Sequence, residues 1–288
     1  MSTPNDCTNS DLEAEILVDH AITVDDLTAY TEVCEDRLVH SGALEKAIEN
    51  AWRREVARTG RKDSSQLVGL RAWRRTDDRV HLLVGPTTYR EFVGTRERRM
   101  LTNPGIQSLA NPIGVCCVIT TADDRVLIER RPNNDYYGGA LHVVGGMVDW
   151  RDDRRGDQID FAGAIVRECE EEVGFKPDRS SVKCVGIAYD ANRPHAELCF
   201  STRCQLTWEE VRERASRTPE FQNMVEVEAH AEALKLLLGD AGKAIVPTGR
   251  AALLLHAATR FPGDPWFRQE VARRRATRLR ADLPSGTG

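Results

Sequence analysis

The segment FAGAIVRECEEEVGF, residues 161–175, constrains this chain more than any other. At about 100° per residue, Ala162, Val166, Cys169 and Val173 fall on one apolar stripe, and Glu168, Glu171 and Glu172 gather on an adjoining face. Asp160 stands where an N-cap belongs and Gly174 where a helix stops, so the spacing predicts a helix over 160–173. Like charges at i, i+3 and i+4 cost a bare helix about 0.2–0.5 kcal/mol per pair. A divalent cation reverses that sign. Several carboxylate oxygens suit magnesium or manganese, and magnesium keeps water and phosphate oxygens beside few protein ligands. Taken alone, such a triple is more often a solvated acidic face.

The flanking sequence supplies the scaffold. Residues 41–58 carry Leu44, Ile48, Trp52 and Val56 at helical spacing behind a Ser41 cap. LVGLRAW and HLLVG with TDD between them predict a hairpin, followed by an arginine-containing loop, TTYREFVGTRERRM. IGVCCVITT and RVLIERR predict a strand, turn and strand, and ALHVV a further short strand ended by Gly145 and Gly146. Strands are expected over 182–189, 197–206 and 224–228, with a helix or loop over 207–218. Helices are expected over 230–238, 248–258 and 265–280. Strands interleaved with helices imply an α/β or α+β sandwich.

Composition narrows the class. In 288 residues, 45 Asp and Glu face 40 Lys and Arg, a net charge of -5 with both signs interspersed. No basic footprint for nucleic acid or an anionic membrane stands out, and seven arginines beyond residue 259 are expected to form a solvated helix face. An enzyme acting on a small polyanion then needs a local source of positive charge, and a metal ion is one. Eight cysteines contain no C-x-x-C pair and several lie in apolar runs, so they are expected as buried reduced thiols. His195, Cys199 and Cys204 match no standard zinc spacing. The acidic, polar N-terminus is unlike a signal peptide, and no apolar run reaches about 18 residues, so a cytoplasmic protein is expected.

The glycine pair, polar loop and carboxylate helix together resemble the Nudix box, G-x5-E-x7-R-E-U-x-E-E-x-G-U, with U apolar. RECEEEVGF fills its second half without a mismatch. The first half departs: counting from Gly146, the glutamate position holds Asp152, and counting back from Arg167 it holds Ile159. Seven extra residues separate the two halves. The resemblance implies an α/β/α sandwich with a mixed sheet over residues 111–260. An α+β extension would precede it over 1–110, and an arginine-rich helix and tail would follow over 261–288. It further implies that Glu168, Glu171, Glu172 and the Gly145 carbonyl ligate magnesium, with manganese as a substitute, while Arg167 orients the glutamates. Asp149, Asp152 and Asp160 are candidates for the base that deprotonates the attacking water, and Asp152 is carried forward among the catalytic residues. A late acid completes the metal site in this family, and Glu220 and Glu226 lie in the right part of the chain.

A second resemblance narrows the substrate. ALEKAIENAW, LVGLRAW, HLLVGPTTYREFVGT and LANPIGVCCVITTADDRVLIERRP are similar to the N-terminal part of the UDP-glucose-hydrolysing Nudix branch. That branch has a lengthened box and a Y-R-x-F-x-G-T stretch, matched here by residues 89–95, and it cleaves UDP-sugars to UMP and a sugar 1-phosphate. Its pattern continues G-T-N, where this chain has Arg96. The resemblance implies substrate contacts from Tyr89, Arg90, Arg96 and Arg130, a small nucleotide as the partner, and a homodimer as a compatible assembly. Alternatives are hydrolysis of another nucleoside diphosphate derivative, such as ADP-ribose or a dinucleotide, and a non-catalytic binding or regulatory module. Retention of all three helix carboxylates argues against the module.

Overall fold

A computed structural model describes residues 14–61, 63–76, 79–96, 109–132, 137–217, 223–240 and 244–275. The chain begins with β1 (Glu15–Val18), α1 (Val24–Ala29), β2 (Thr31–Val33) and α2 (Gly42–Thr59), followed by β3 (Gln66–Thr76), β4 (Arg79–Thr88) and α3 (Tyr89–Thr95). The central part contains β5 (Ile113–Thr120), β6 (Arg125–Arg130), β7 (Leu141–His142), β8 (Val144–Met147), β9 (Arg154–Arg155), β10 (Gln158–Ile159) and α4 (Phe161–Val173). It closes with β11 (Lys183–Asp190), β12 (His195–Arg203), α5 (Trp208–Ala215), β13 (Met224–Glu228), α6 (Ala231–Gly239), α7 (Pro247–Arg260) and α8 (Pro265–Arg273).

Eight strands make one mixed sheet in the order β1-β11-β12-β5-β6-β13, with β7 paired to β6 and β8 to β5. β12 and β5 are parallel, and the other pairs are antiparallel. Every residue of β5 is buried, because both faces of this central strand are covered. Val115, Cys117 and Ile119 join Ala164, Ile165, Cys169 and Val173 of α4 on one side. Cys116 and Val118 join Ala251, Leu254 and Leu255 of α7 on the other. This is the expected α/β/α sandwich.

The N-terminal extension forms a three-stranded sheet, β2-β4-β3, laced to the main sheet through β3: Val68 N donates to Val148 O at 3.0 Å and Leu70 N to Asn111 O at 2.8 Å. Its first strand, β1, lies in the main sheet against β11. At the other end Ile16 N donates to Arg274 O, and Phe267 and Val271 bury α8 against the α7 core, so this arginine-rich segment is not a solvated helix on all sides.

Three local expectations change. Residues 89–95 are a helix rather than a loop: Thr88 caps it by accepting from Glu91 N, and Phe92 and Val93 are buried. The polar stretch before α4 contains the β9–β10 hairpin, which turns through Gly156 at φ +61°. The expected strand over 140–144 divides into β7 and β8, and the glycine pair lies inside β8 rather than after a strand. Seven cysteines are described, all of them free thiols and six of them buried. Among the described residues, no helix is long and apolar enough to cross a membrane.

Candidate active site

α4 starts because Asp160 accepts from Gly163 N at 2.8 Å, and it stops at Gly174, whose φ of +63° suits a left-handed cap. Its apolar face locks onto β5, which turns the carboxylate face toward the glycine pair of β8. There a cavity of about 520 Å³ is lined by Gly145, Gly146, Arg167, Glu168, Glu171 and Glu172 from the central region, with Asp149, Asp152 and Arg131. The extension contributes Arg61, Ser65, Leu67, Tyr89 and Phe92 to the same lining.

The glycine pair permits the close approach. A Cβ on Gly146 would lie 2.5 Å from the Glu168 carboxylate carbon, and one on Gly145 would lie 2.4 Å from Val115 O. Glu172 accepts from Gly145 N at 3.1 Å, tying the helix to the strand. Glu168 is nearly buried, and burial pushes its carboxyl up to about 7 against the pull of the Arg167 charge. Glu171 is half exposed.

Arg167 spans the helix face. Its Nη1 donates to Glu168 Oε1 at 2.9 Å and to Glu171 Oε2 at 3.0 Å. Its other edge meets Asp153, with Nε 3.3 Å from Oδ1 and Nη2 2.9 Å from Oδ2. Burial works against its charge, but the hydrogen bond to Asp153 and the Glu168 carboxylate hold its pKa above the ordinary value. Asp153 is buried and also accepts from Asp149 N at 2.8 Å.

Asp153 N and O both take part in closing the inserted segment: Asp160 N donates to Asp153 O at 2.7 Å, and Asp153 N to Asp149 O at 3.3 Å. The six residues 154–159 are thereby looped out as the hairpin. With them set aside, Asp153 stands eight positions before Arg167, the spacing of the glutamate in the G-x5-E-x7-R pattern. Asp152, the position reached by counting from Gly146, is exposed on the cavity rim, and its own N–H donates to Asp149 Oδ1. Counting could not find Asp153, because one extra residue precedes it and six follow.

The donor set matches a hard divalent cation in kind: Glu168, Glu171 and Glu172 on one cavity wall, beside the backbone of Gly145. Among the described residues no three His, Cys, Asp or Glu side chains are already gathered as a cage. Arg167 Nη1 bridges two of the three carboxylates through one oxygen of each, Glu168 Oε1 and Glu171 Oε2.

The remaining sequence candidates divide. Tyr89 lines the cavity. Arg90 does not; it pairs with Glu45 and Glu49 of α2 at 2.7 and 3.0 Å. Arg96 pairs with buried Glu55 at 3.0 Å, and Arg130 donates to Gly139 O at 2.9 Å, both away from the cavity lining. These three arginines tie structural elements together. Glu226 pairs with Arg125 on β6, outside the lining, and Asp160 caps α4. Glu220 lies outside the described residues. Sequence reasoning missed Arg61, Arg131 and Asp153. Arg61 follows the Gly60 helix stop and Arg131 follows a strand, positions that carry no motif.

Residues 110–245 match the NUDIX domain family. No curated protein matches the chain. Among solved structures, it is similar to the NUDIX domain of Shewanella oneidensis NrtR complexed with ADP ribose, with 15% identity over 57% of this chain and 97% of that one, at a TM-score of 0.37. A MutT/nudix family protein from Enterococcus faecalis gives 14% identity, coverages of 62% and 71%, and a TM-score of 0.39. A protein from Deinococcus radiodurans gives 18% identity, coverages of 50% and 81%, and a TM-score of 0.35. With the box glutamates, the glycine-bearing strand and the sandwich in their expected order, the chain carries a NUDIX domain over residues 110–245.

Proposed function

We propose that the protein is a divalent-cation-dependent hydrolase that splits the diphosphate of a nucleoside diphosphate derivative, with UDP-glucose-like nucleotide sugars as its substrate class. The observation that carries the reaction type is the convergence of Glu168, Glu171, Glu172 and Arg167 on one wall of a cavity large enough for a nucleotide. The sugar class rests on the match of residues 89–95 to the Y-R-x-F-x-G-T stretch.

Glu168, Glu171 and Glu172, with the Gly145 carbonyl, would hold the cation. When bound, magnesium or manganese neutralises the diphosphate and lowers the pKa of water. The chain's own groups do the positioning. Asp153 fixes Arg167, and Arg167 fixes the Glu168 and Glu171 carboxylates. The Gly145 N–H fixes Glu172. Carboxylates on the open side of the cavity, Glu171 and Asp152, accept the proton that the attacking water releases. The products of a UDP-sugar would be UMP and a sugar 1-phosphate.

Incubation with UDP-glucose and magnesium, followed by chromatography, tests this reading. UMP and glucose 1-phosphate are expected. Turnover of ADP-ribose alone would remove the sugar assignment, and turnover of neither, nor of any dinucleotide, would remove the hydrolase assignment.

A further inference from the structure

The sequence resemblance implies a substrate contact from Tyr89, but in the fold that ring already has a partner. The Arg61 guanidinium lies over it, with Cζ 4.2 Å from the ring centroid. Trp52 and Phe92 meet the same ring edge to face, at centroid distances of 6.3 and 6.1 Å. We propose that Arg61 is the group in the cavity lining that receives the substrate's diphosphate. Tyr89 is the positioning residue that holds Arg61 there.

The charges of the cavity lead to this assignment. Five carboxylates line it, those of Asp149, Asp152, Glu168, Glu171 and Glu172, against three arginines. Arg167 is committed to Asp153, Glu168 and Glu171. Arg61 makes no ion pair among the described residues, where its guanidinium lies over the Tyr89 ring. A polyanion entering a largely acidic cavity needs a fixed positive charge in its lining. A guanidinium suits that role because its planar fork can donate two parallel hydrogen bonds to phosphate oxygens.

The backbone holds Arg61 in position. α2 ends at Gly60, whose N–H reaches Val56 O at 2.9 Å with φ +73°, and Arg61 N then donates to Thr59 Oγ1 at 3.2 Å. Farther along, Tyr89 N donates to Ser65 O and Arg90 N to Ser64 Oγ, both at 3.0 Å, which ties the same connection to the first turn of α3. The aromatic face then limits where the long side chain can lie, as cation–aromatic contacts do. Arg61 and Tyr89 both precede residue 110, so this half of the binding wall comes from outside the NUDIX domain.

This inference rests on the hydrolase reading only for the diphosphate nature of the ligand. Calorimetric titration with methylenediphosphonate, a diphosphate analogue that is not hydrolysed, tests it in the presence of magnesium, with uridine and adenosine titrated separately. Arg61→Ala should weaken diphosphonate binding at least about tenfold and leave nucleoside binding unchanged, while Arg61→Lys, which keeps charge but loses the fork, should fall between. Tyr89→Leu should weaken it comparably, Tyr89→Phe should stay near wild type, and the Arg61→Ala/Tyr89→Leu pair should be no weaker than Arg61→Ala alone. Thermal unfolding of each variant verifies that it is folded. Unchanged diphosphonate binding in Arg61→Ala, an equal loss of nucleoside binding, additive effects of the two substitutions, or no diphosphonate binding by the wild type would each overturn the proposal. Turnover of UDP-glucose and ADP-ribose, assayed in parallel, judges the hydrolase reading by itself. Intact diphosphonate binding without turnover overturns that reading and leaves the Arg61 subsite standing.

Discussion

Arg167 grips Asp153 with Nε and Nη2 across fourteen residues, and the same guanidinium reaches two of the three helix carboxylates with Nη1. A buried acid outside the helix therefore sets the side-chain geometry on it. The insertion between Gly146 and α4 does not disturb this arrangement, because its hairpin leaves between Asp153 and Asp160 and docks on the extension through the Arg154–Glu35 pair.

Asp153→Asn removes the charge that fixes Arg167. Turnover should fall by about 10–100-fold, the usual effect of losing a partner that orients metal ligands. Unfolding stability should drop by about 1–3 kcal/mol, since Arg167 is left half-buried with a poorer partner. Steady-state kinetics and thermal melts of Asp153→Asn beside Asp152→Asn measure this. Asp152→Asn should lose turnover without losing stability, and wild-type turnover and stability in Asp153→Asn would remove the orienting role.

Glu171→Gln and Glu172→Gln remove anionic oxygens without changing side-chain volume. Each should lower turnover by about 10²-fold or more while the melting temperature holds or rises, because like-charge repulsion on α4 is relieved. Chelation of divalent cations by EDTA should abolish turnover, and added magnesium or manganese should restore it. Full activity in EDTA would rule out the cation.

Gly146→Ala would force a methyl group to within 2.5 Å of the Glu168 carboxylate. The carboxylate has to move, so turnover should fall at least about tenfold, the effect of a misplacement of about 1 Å. Gly114→Ala, on the neighbouring strand, is the comparison: its Cβ meets nothing nearer than Gly146 O at 3.4 Å. Equal activities of the two variants would contradict the close strand–helix approach.

His256 lies buried on α7, with Nδ1 2.8 Å from Ser201 Oγ, and burial pushes its pKa down to about 4. The unfolded chain takes up this proton near the ordinary histidine value of 6.5, the folded protein only near 4. The resulting stability is fully present above pH 6.5 and is lost as pH falls toward 4, by about 3 kcal/mol in all. Urea unfolding between pH 7 and 4 should display that slope, and His256→Leu should flatten it. An unchanged slope would assign the acid sensitivity to other groups.

Local patterns specify much of this fold. Asp160, the α4 stripe and Gly174 define the carboxylate helix, and Val166 at the edge of that stripe is only partly buried. Ser41 starts α2, and the apolar runs of β5 and β6 announce the central strands. Residues 89–95 escape such reading because a seven-residue helix has little periodicity of its own, and its Thr88 cap gains meaning only with Phe92 and Val93 buried against neighbours.

By itself, the sequence determined the carboxylate helix and the central apolar strands, since each follows from periodicity, capping and turn chemistry within a few residues, while the tertiary structure placed the glycine pair inside β8. Only the tertiary structure decided which acid holds Arg167, which arginines line the cavity and which wall Tyr89 joins. Asp153 reaches Arg167 because a hairpin closes behind it, Arg90 and Arg96 turn away because α2 offers them carboxylates, and Arg61 turns in over Tyr89. Those choices depend on contacts between residues far apart in the chain, where spacing carries no information and packing and charge compensation fix the outcome.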